Sequence, residues 1–234
     1  MKENLPKFQL IYFNLRALAE APQMMLRYAS INYSYEMAWD YYGKPWKEAK
    51  KDVAFNQLPI LIVDEKIHIW QSGAIIRYLS KFTNTRPEND LLLAQVDAMC
   101  DQSYELFRPL NPLVNLMIDE VHLKNKKTFL DIFPSKLRNF AKQLALTEGP
   151  FFFGENPYYC DFSIYHHFSL AKMIDENIFA KHENILNFMS AIESLHGINK
   201  YLNERPQLVD IGKSPKFIKN AISVATGTDP NKKI

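Results

Sequence analysis

The chain has 234 residues, enough for one or two domains with a sizeable buried core. Apolar side chains make up 47% and charged ones 23%, which excludes a disordered chain, and 28 basic against 26 acidic residues leave +2, too little for a nucleic-acid-binding field. The seven glycines favour helix over loop-rich architecture; no two lie two apart, which excludes a G-x-G-x-x-G fingerprint, and Gly149 and Gly154 are followed by Glu155 where a phosphate loop needs lysine.

Phe8–Phe13 is a short apolar, β-rich run and is predicted as a buried strand. From Ala17 to Tyr28 the apolar residues adopt helical spacing, with Pro22 tolerable only in the first turn or two. A second strand is predicted over Tyr33–Ala38 and a short helix over Trp46–Val53. Ile60–Val63 and Ile67–Trp70 flank Asp64-Glu65-Lys66 as a hairpin, and Ser72–Phe82 forms a third helix. The order β-α-β-α-β-β-α gives an α/β, thioredoxin-like N-terminal domain over residues 1–83. Polar Asn84–Asp90, with Pro87 and no apolar period, is the linker, 84–90. An all-α domain is predicted over 91–208, with helices at Leu92–Asp119, Phe129–Leu146, Asp161–Asp175, Ile185–Leu195 and Asn199–Asn203. The tail, 209–234, carries five lysines and two aspartates and little core signal before Phe217-Ile218. It either caps a pocket or is disordered.

Cys100 and Cys160 have no framework spacing and read as packing residues in a reducing compartment. The start, MKENLPKF, lacks an apolar leader, Lys2 stands where myristoylation needs glycine, and runs such as Pro59–Val63 are too short to span a bilayer. The expected location is the cytosol, which makes the sequon Asn32-Tyr33-Ser34 a chance match. No H-E-x-x-H occurs, and the adjacent His166 and His167 cannot share one helix face, so no metal site is expected.

Ligands of α/β layers sit where strands hand over to helices. At the end of the first strand the chain offers no C-x-x-C, so exchange through its own thiols is excluded; the polar group there is the phenol of Tyr12, equally readable as a packed strand tyrosine. Leu58-Pro59 opens the third strand; a cis bond there would turn the Leu58 backbone outward to pair with an extended peptide. Gln71-Ser72 begins a helix whose free N–H groups suit a carboxylate, unless Ser72 is a plain N-cap. Trp46 and Lys50 lie one turn apart and suit a second carboxylate, or form an ordinary solvated face.

The segments YFNLRALAE, W-x3-K, NQLPIL and Q-S-x-A-I-x-R-Y-L resemble those of cytosolic glutathione transferases of the tyrosine type (sigma, mu and pi), closest to sigma, over about residues 8–208. The resemblance implies that Tyr12 directs its hydroxyl at the glutathione sulfur, with Phe13 adjoining. It assigns Trp46 and Lys50 to the glycine carboxylate, Gln57 and Leu58 to the cysteinyl backbone beside a cis Pro59, and Gln71 and Ser72 to the γ-glutamyl carboxylate. Asp101 then reaches the γ-glutamyl ammonium of a neighbouring subunit in a homodimer. A small hydrophobic electrophile, in a detoxifying conjugation, would meet Leu15, Ala17, Leu18, Tyr104 and Phe107; no nucleic-acid or membrane partner is expected. The chain departs from the pattern at Ala17-Leu18, where sigma relatives carry glycine-arginine, and at Gln57, where some carry lysine. Tyr104 and Glu105 replace two aspartates that hold a divalent ion in the prostaglandin D synthase of the group. The helix-capping motif reads Tyr158-Tyr159-Cys160-Asp161, without a hydroxyl cap. A non-catalytic ligand-binding relative and a glutathione-dependent prostaglandin-type isomerase are the alternative functions.

Overall fold

The computed structural model describes residues 5–227. Four strands, β1 (Phe8–Tyr12), β2 (Tyr33–Met37), β3 (Ile60–Val63) and β4 (Ile67–Trp70), form one mixed sheet in the order β2-β1-β3-β4. β1 runs parallel to β2 and antiparallel to β3, and β3 pairs antiparallel with β4. All four residues of β3 are buried, as its unbroken ILIV run requires of a central strand. α1 (Glu20–Tyr28) starts three residues later than predicted, and Pro22 falls in its first turn, where a missing N–H removes no helical bond. A five-residue helix that the periodicity does not announce, α2 (Ala38–Tyr42), follows β2 directly; α3 (Trp46–Ala49) and α4 (Ser72–Leu79) complete this part.

The helical part comprises α5 (Asp90–Asn115), α6 (Asp119–Leu144), α7 (Tyr159–Ile174), α8 (Glu183–Ser194) and α9 (Ile198–Glu204). Asn89 caps α5, its Oδ1 accepting from the N–H groups of Leu91 and Leu92, so the helix reaches back into the predicted linker. α7 is buried on all sides, thirteen of its sixteen residues being inaccessible, and packs between α5 and α1. Asp161 holds its N-terminus: Oδ2 accepts from Tyr158 N at 2.7 Å and Oδ1 from Phe152 N at 3.0 Å. The carboxylate half of the capping motif is thus present without the hydroxyl half. Gly197, at φ +74°, joins α8 to α9; a Cβ there would lie 2.2 Å from the Arg27 carbonyl oxygen, so the close approach of α9 to α1 needs glycine.

The tail, left open between cap and disorder, folds as a small sheet over its described residues, 209–227. β5 (Gln207–Val209), β6 (Lys216–Lys219) and β7 (Ile222–Ala225) form an antiparallel sheet with Phe217 buried beneath it. β5 begins inside the segment expected to be wholly helical.

Candidate functional site

The register of the sheet decides which residues meet. Ile11 of β1 pairs with Ile60 of β3, and Ile60 pairs with Trp70 of β4. One step further, Tyr12 ends β1, Pro59 precedes β3 and Gln71 follows β4, so three distant segments deliver these positions to one sheet edge. Leu58 is buried and its bond to Pro59 is cis. Gln71 takes φ +67°, an unusual conformation for this residue type, and its Nε2 donates to Gln57 Oε1 at 3.2 Å. Ser72 is the first residue of α4 rather than its cap; Gln71 holds the cap position and bonds no helix N–H through its side chain. The capping alternative for Ser72 therefore fails, and among the described residues no side chain makes a cap hydrogen bond at the α4 N-terminus.

From the strand end an aromatic row runs outward. The rings of Tyr12 and Phe13 lie 5.4 Å apart, and Phe13 meets Trp46 edge-on at 5.1 Å. α3 ends at Ala49, shorter than the predicted helix, and Lys50 opens a 3-10 turn. Lys50 stands exposed one turn beyond Trp46, with no ion-pair partner among the described residues. The indole and the ammonium thus share a face at the rim of the same edge.

Tyr12 is 3% exposed, and Leu18 N–H donates to its hydroxyl oxygen at 3.3 Å. Among the described residues its own hydrogen meets no acceptor. Burial pushes this phenol well above the ordinary tyrosine value, outweighing the opposing pull of the Leu18 N–H. The group is therefore a protonated donor at any working pH, oriented from behind by a backbone amide.

The expected electrophile-pocket residues separate. Leu15 and Leu18 are half-buried beside the strand end, and Phe107 and Tyr104 of α5 lie against His167 at 5.1 and 5.6 Å. Ala17 has no exposed surface and is a core residue, because the turn into α1 folds it inward. Asp101 is not free: Arg77 Nη2 donates to its Oδ1 at 2.9 Å, while Arg77 Nε and the Tyr159 hydroxyl hold Asp97. Arg77, which bridges the two carboxylates, is not among the residues the sequence singles out, although Asp97 and Asp101, four apart on one helix face, signal a shared cation.

A second missed device steadies the loop after Tyr12. Asn115 at the end of α5 accepts from Arg16 N and donates to Arg16 O, at 3.3 and 3.2 Å. Thr226 donates to the Asn115 carbonyl, Asn14 Nδ2 donates to Ala225 O at 2.6 Å, and Gly227 N donates to Asn14 O at 3.1 Å. The tail sheet thus closes on the loop that carries Leu18.

The family model for the glutathione S-transferase N-terminal domain matches residues 8–81, and that for the C-terminal domain matches residues 110–205. The chain belongs to the glutathione S-transferase family. A probable glutathione S-transferase 6 from Caenorhabditis elegans is 30% identical to this transferase over 85% of this chain and 97% of the relative. Human glutathione S-transferase Mu 3 is 29% identical over 82% of this chain and 85% of its own. Among solved structures, the Pi-class enzyme of Onchocerca volvulus shares the fold with a TM-score of 0.75 at 24% identity, over 85% of this chain and 93% of that one.

Both cysteines of the transferase are buried and unpaired, and burial pushes the Cys100 thiol up to about 12, so neither is a ready nucleophile. Among the described residues, no group of three or more His, Cys, Asp and Glu could hold a metal ion, and no helix is long and apolar enough to cross a membrane.

Proposed function

We propose that this transferase binds glutathione along the edge formed by Trp46, Lys50, Gln57, Leu58, Gln71 and Ser72, with its sulfur at the Tyr12 hydroxyl, and passes the thiolate to a hydrophobic electrophile. The observation that carries this reading is the state of Tyr12: neutral, held by Leu18 N–H, and left with one hydrogen to give. A free thiol near pKa 8.5 is only a few per cent ionised at neutrality. A charge-assisted bond from Tyr12 favours the anion, and lowering that pKa by about 2 units needs roughly 2.7 kcal/mol. The thiolate then forms a carbon–sulfur bond as the leaving group or the electrophile's π-electrons take up the charge. Leu18 contributes here through its backbone rather than through the cation that sigma relatives place at this position.

In this reading residues 5–83 bind glutathione, 84–89 link the two parts, and the helices α5 to α9, which end at Glu204, hold the electrophile beside Leu15, Leu18, Tyr104 and Phe107. The tail 209–227 steadies the Tyr12 loop through Asn14 and Asn115. The working unit is a cytosolic homodimer in which Arg77 aims Asp101 at the γ-glutamyl ammonium bound by the neighbouring copy.

Lys50 provides a test that leaves the chemistry untouched. Lys50→Ala removes a cation that would hold a carboxylate equally in ground and transition states, so KM for glutathione should rise roughly tenfold with kcat nearly unchanged. Steady-state conjugation of a generic aryl halide measures both. An unchanged KM would move the glycine carboxylate elsewhere, and no turnover by the wild type would leave only a binding protein.

A further inference from the structure

α7 carries two adjacent histidines that the chemistry proposed above does not use. His166 is 1% exposed and His167 2%. Among the described residues, neither ring nitrogen of His166 has a hydrogen-bond partner, nor has Nδ1 of His167. Their surroundings differ. His167 lies against Tyr104 and Phe107 of α5. His166 is faced by the Ala17 carbonyl and by the guanidinium groups of Arg205 and Arg16, with the Phe107 ring 6.2 Å and the His167 ring 5.4 Å away. Burial, with those two cations nearby, pushes the His166 imidazole well below its ordinary value. It is therefore neutral and carries one N–H donor.

A buried N–H without an acceptor is costly, and the Ala17 carbonyl is the acceptor at hand. That oxygen already accepts from Glu20 N at 3.0 Å, and a carbonyl has two lone pairs to offer. The same peptide unit carries the bond that orients Tyr12. Its link is trans, so its C=O and N–H point in opposite directions. Leu18 N–H reaches the Tyr12 hydroxyl at 3.3 Å, and the Ala17 oxygen therefore turns away from Tyr12. Hydrogen bonds in a chain polarise one another. A donor on the Ala17 oxygen strengthens the Leu18 N–H, and a stronger bond onto the Tyr12 oxygen makes its hydroxyl the better donor.

We propose that His166 is a positioning residue for the conjugation, its imidazole N–H closing on the Ala17 carbonyl as the thiolate forms and bracing the Ala17–Leu18 peptide behind Tyr12. The proposal rests on the Tyr12 reading above and extends it by one layer. Every hydrogen stays on its own donor, and the negative charge stays on the sulfur.

Ionisation of glutathione bound to the full chain, followed by thiolate absorbance against pH, tests this in His166→Leu, His166→Gln and Tyr12→Phe. His166→Leu should raise the bound thiol's pKa by about half a unit, a roughly twofold loss of thiolate and of kcat near pH 6.5, with KM for glutathione unchanged. His166→Gln keeps an N–H donor and should restore most of the loss. Equal shifts in the Leu and Gln variants would reduce His166 to packing and overturn the proposal. So would a thiol pKa that Tyr12→Phe raises and His166→Leu leaves in place. A wild-type thiol that ionises near its free value of roughly 8.5 and ignores Tyr12→Phe would sink the Tyr12 reading, and this proposal with it. Should His166→Leu fail to fold, ring-nitrogen NMR of the wild type decides. Saturating glutathione should move the His166 N–H signal downfield, and a signal that stays in place overturns the proposal.

Discussion

Replacing Tyr12 by phenylalanine should slow conjugation roughly 100-fold at pH 6.5, the scale seen when one preorganised donor to a developing or full anion is removed. The loss should shrink with rising pH. With the hydroxyl in place the bound thiol ionises about two units below its free value of roughly 8.5; without it the thiol returns towards that value. Below the lower value both enzymes lack thiolate. Between the two values only the wild type has it, and above about pH 9 both do. The wild-type rate should therefore rise through a limb near pH 6.5, and the Tyr12→Phe limb should lie near 8.5, with the two curves converging in alkali. Tyr12 contributes no titration of its own in this range, because burial keeps its phenol neutral far above it. A Tyr12→Phe enzyme within twofold of the wild type from pH 6 to 9 would remove the phenol from the mechanism.

That expectation rests on a contact the sequence does not display. Tyr12 is legible as a polar residue at a strand end, but its orientation comes from the backbone N–H of Leu18, which any residue except proline would supply at that position. Pro59 is legible as a residue; its cis isomer follows from the family resemblance alone, and the structure has it. The strands were legible to within a residue because each is a compact β-branched or aromatic run, and the edge then follows from register alone. The first ten residues of α6 escaped because Val121 and Leu123 point to solvent among charged neighbours, so an apolar period begins only at Phe129. α7 was legible as a helix but not as the central one, since a helix buried on all sides has no single apolar face to reveal its setting. In the tail, three strands of three or four residues, joined through polar turns, leave no run long enough to read. Ala17 looked like pocket lining beside Leu15 and Leu18; the fold turns it into the core.

Asp161→Ala should be the most destabilising single substitution named, at about 2–4 kcal/mol. The carboxylate is fully buried, and its two oxygens each accept from a backbone N–H, one at the cap of α7 and one in the preceding loop. Truncation leaves both donors buried without partners, each a penalty of roughly 1–3 kcal/mol, and releasing a buried charge returns part of it. The sum exceeds a surface cap because α7 touches α5, α1 and α8, so loosening its first turn loosens the core shared by both parts of the chain. Asp161→Asn keeps one acceptor oxygen and should lose about half as much. Urea unfolding at pH 8 measures both: the midpoints should rank wild type, Asn, Ala, with equal slopes. Coincident midpoints for wild type and Asp161→Ala would show that the Phe152 and Tyr158 N–H groups find other acceptors, and that α7 needs no carboxylate to start.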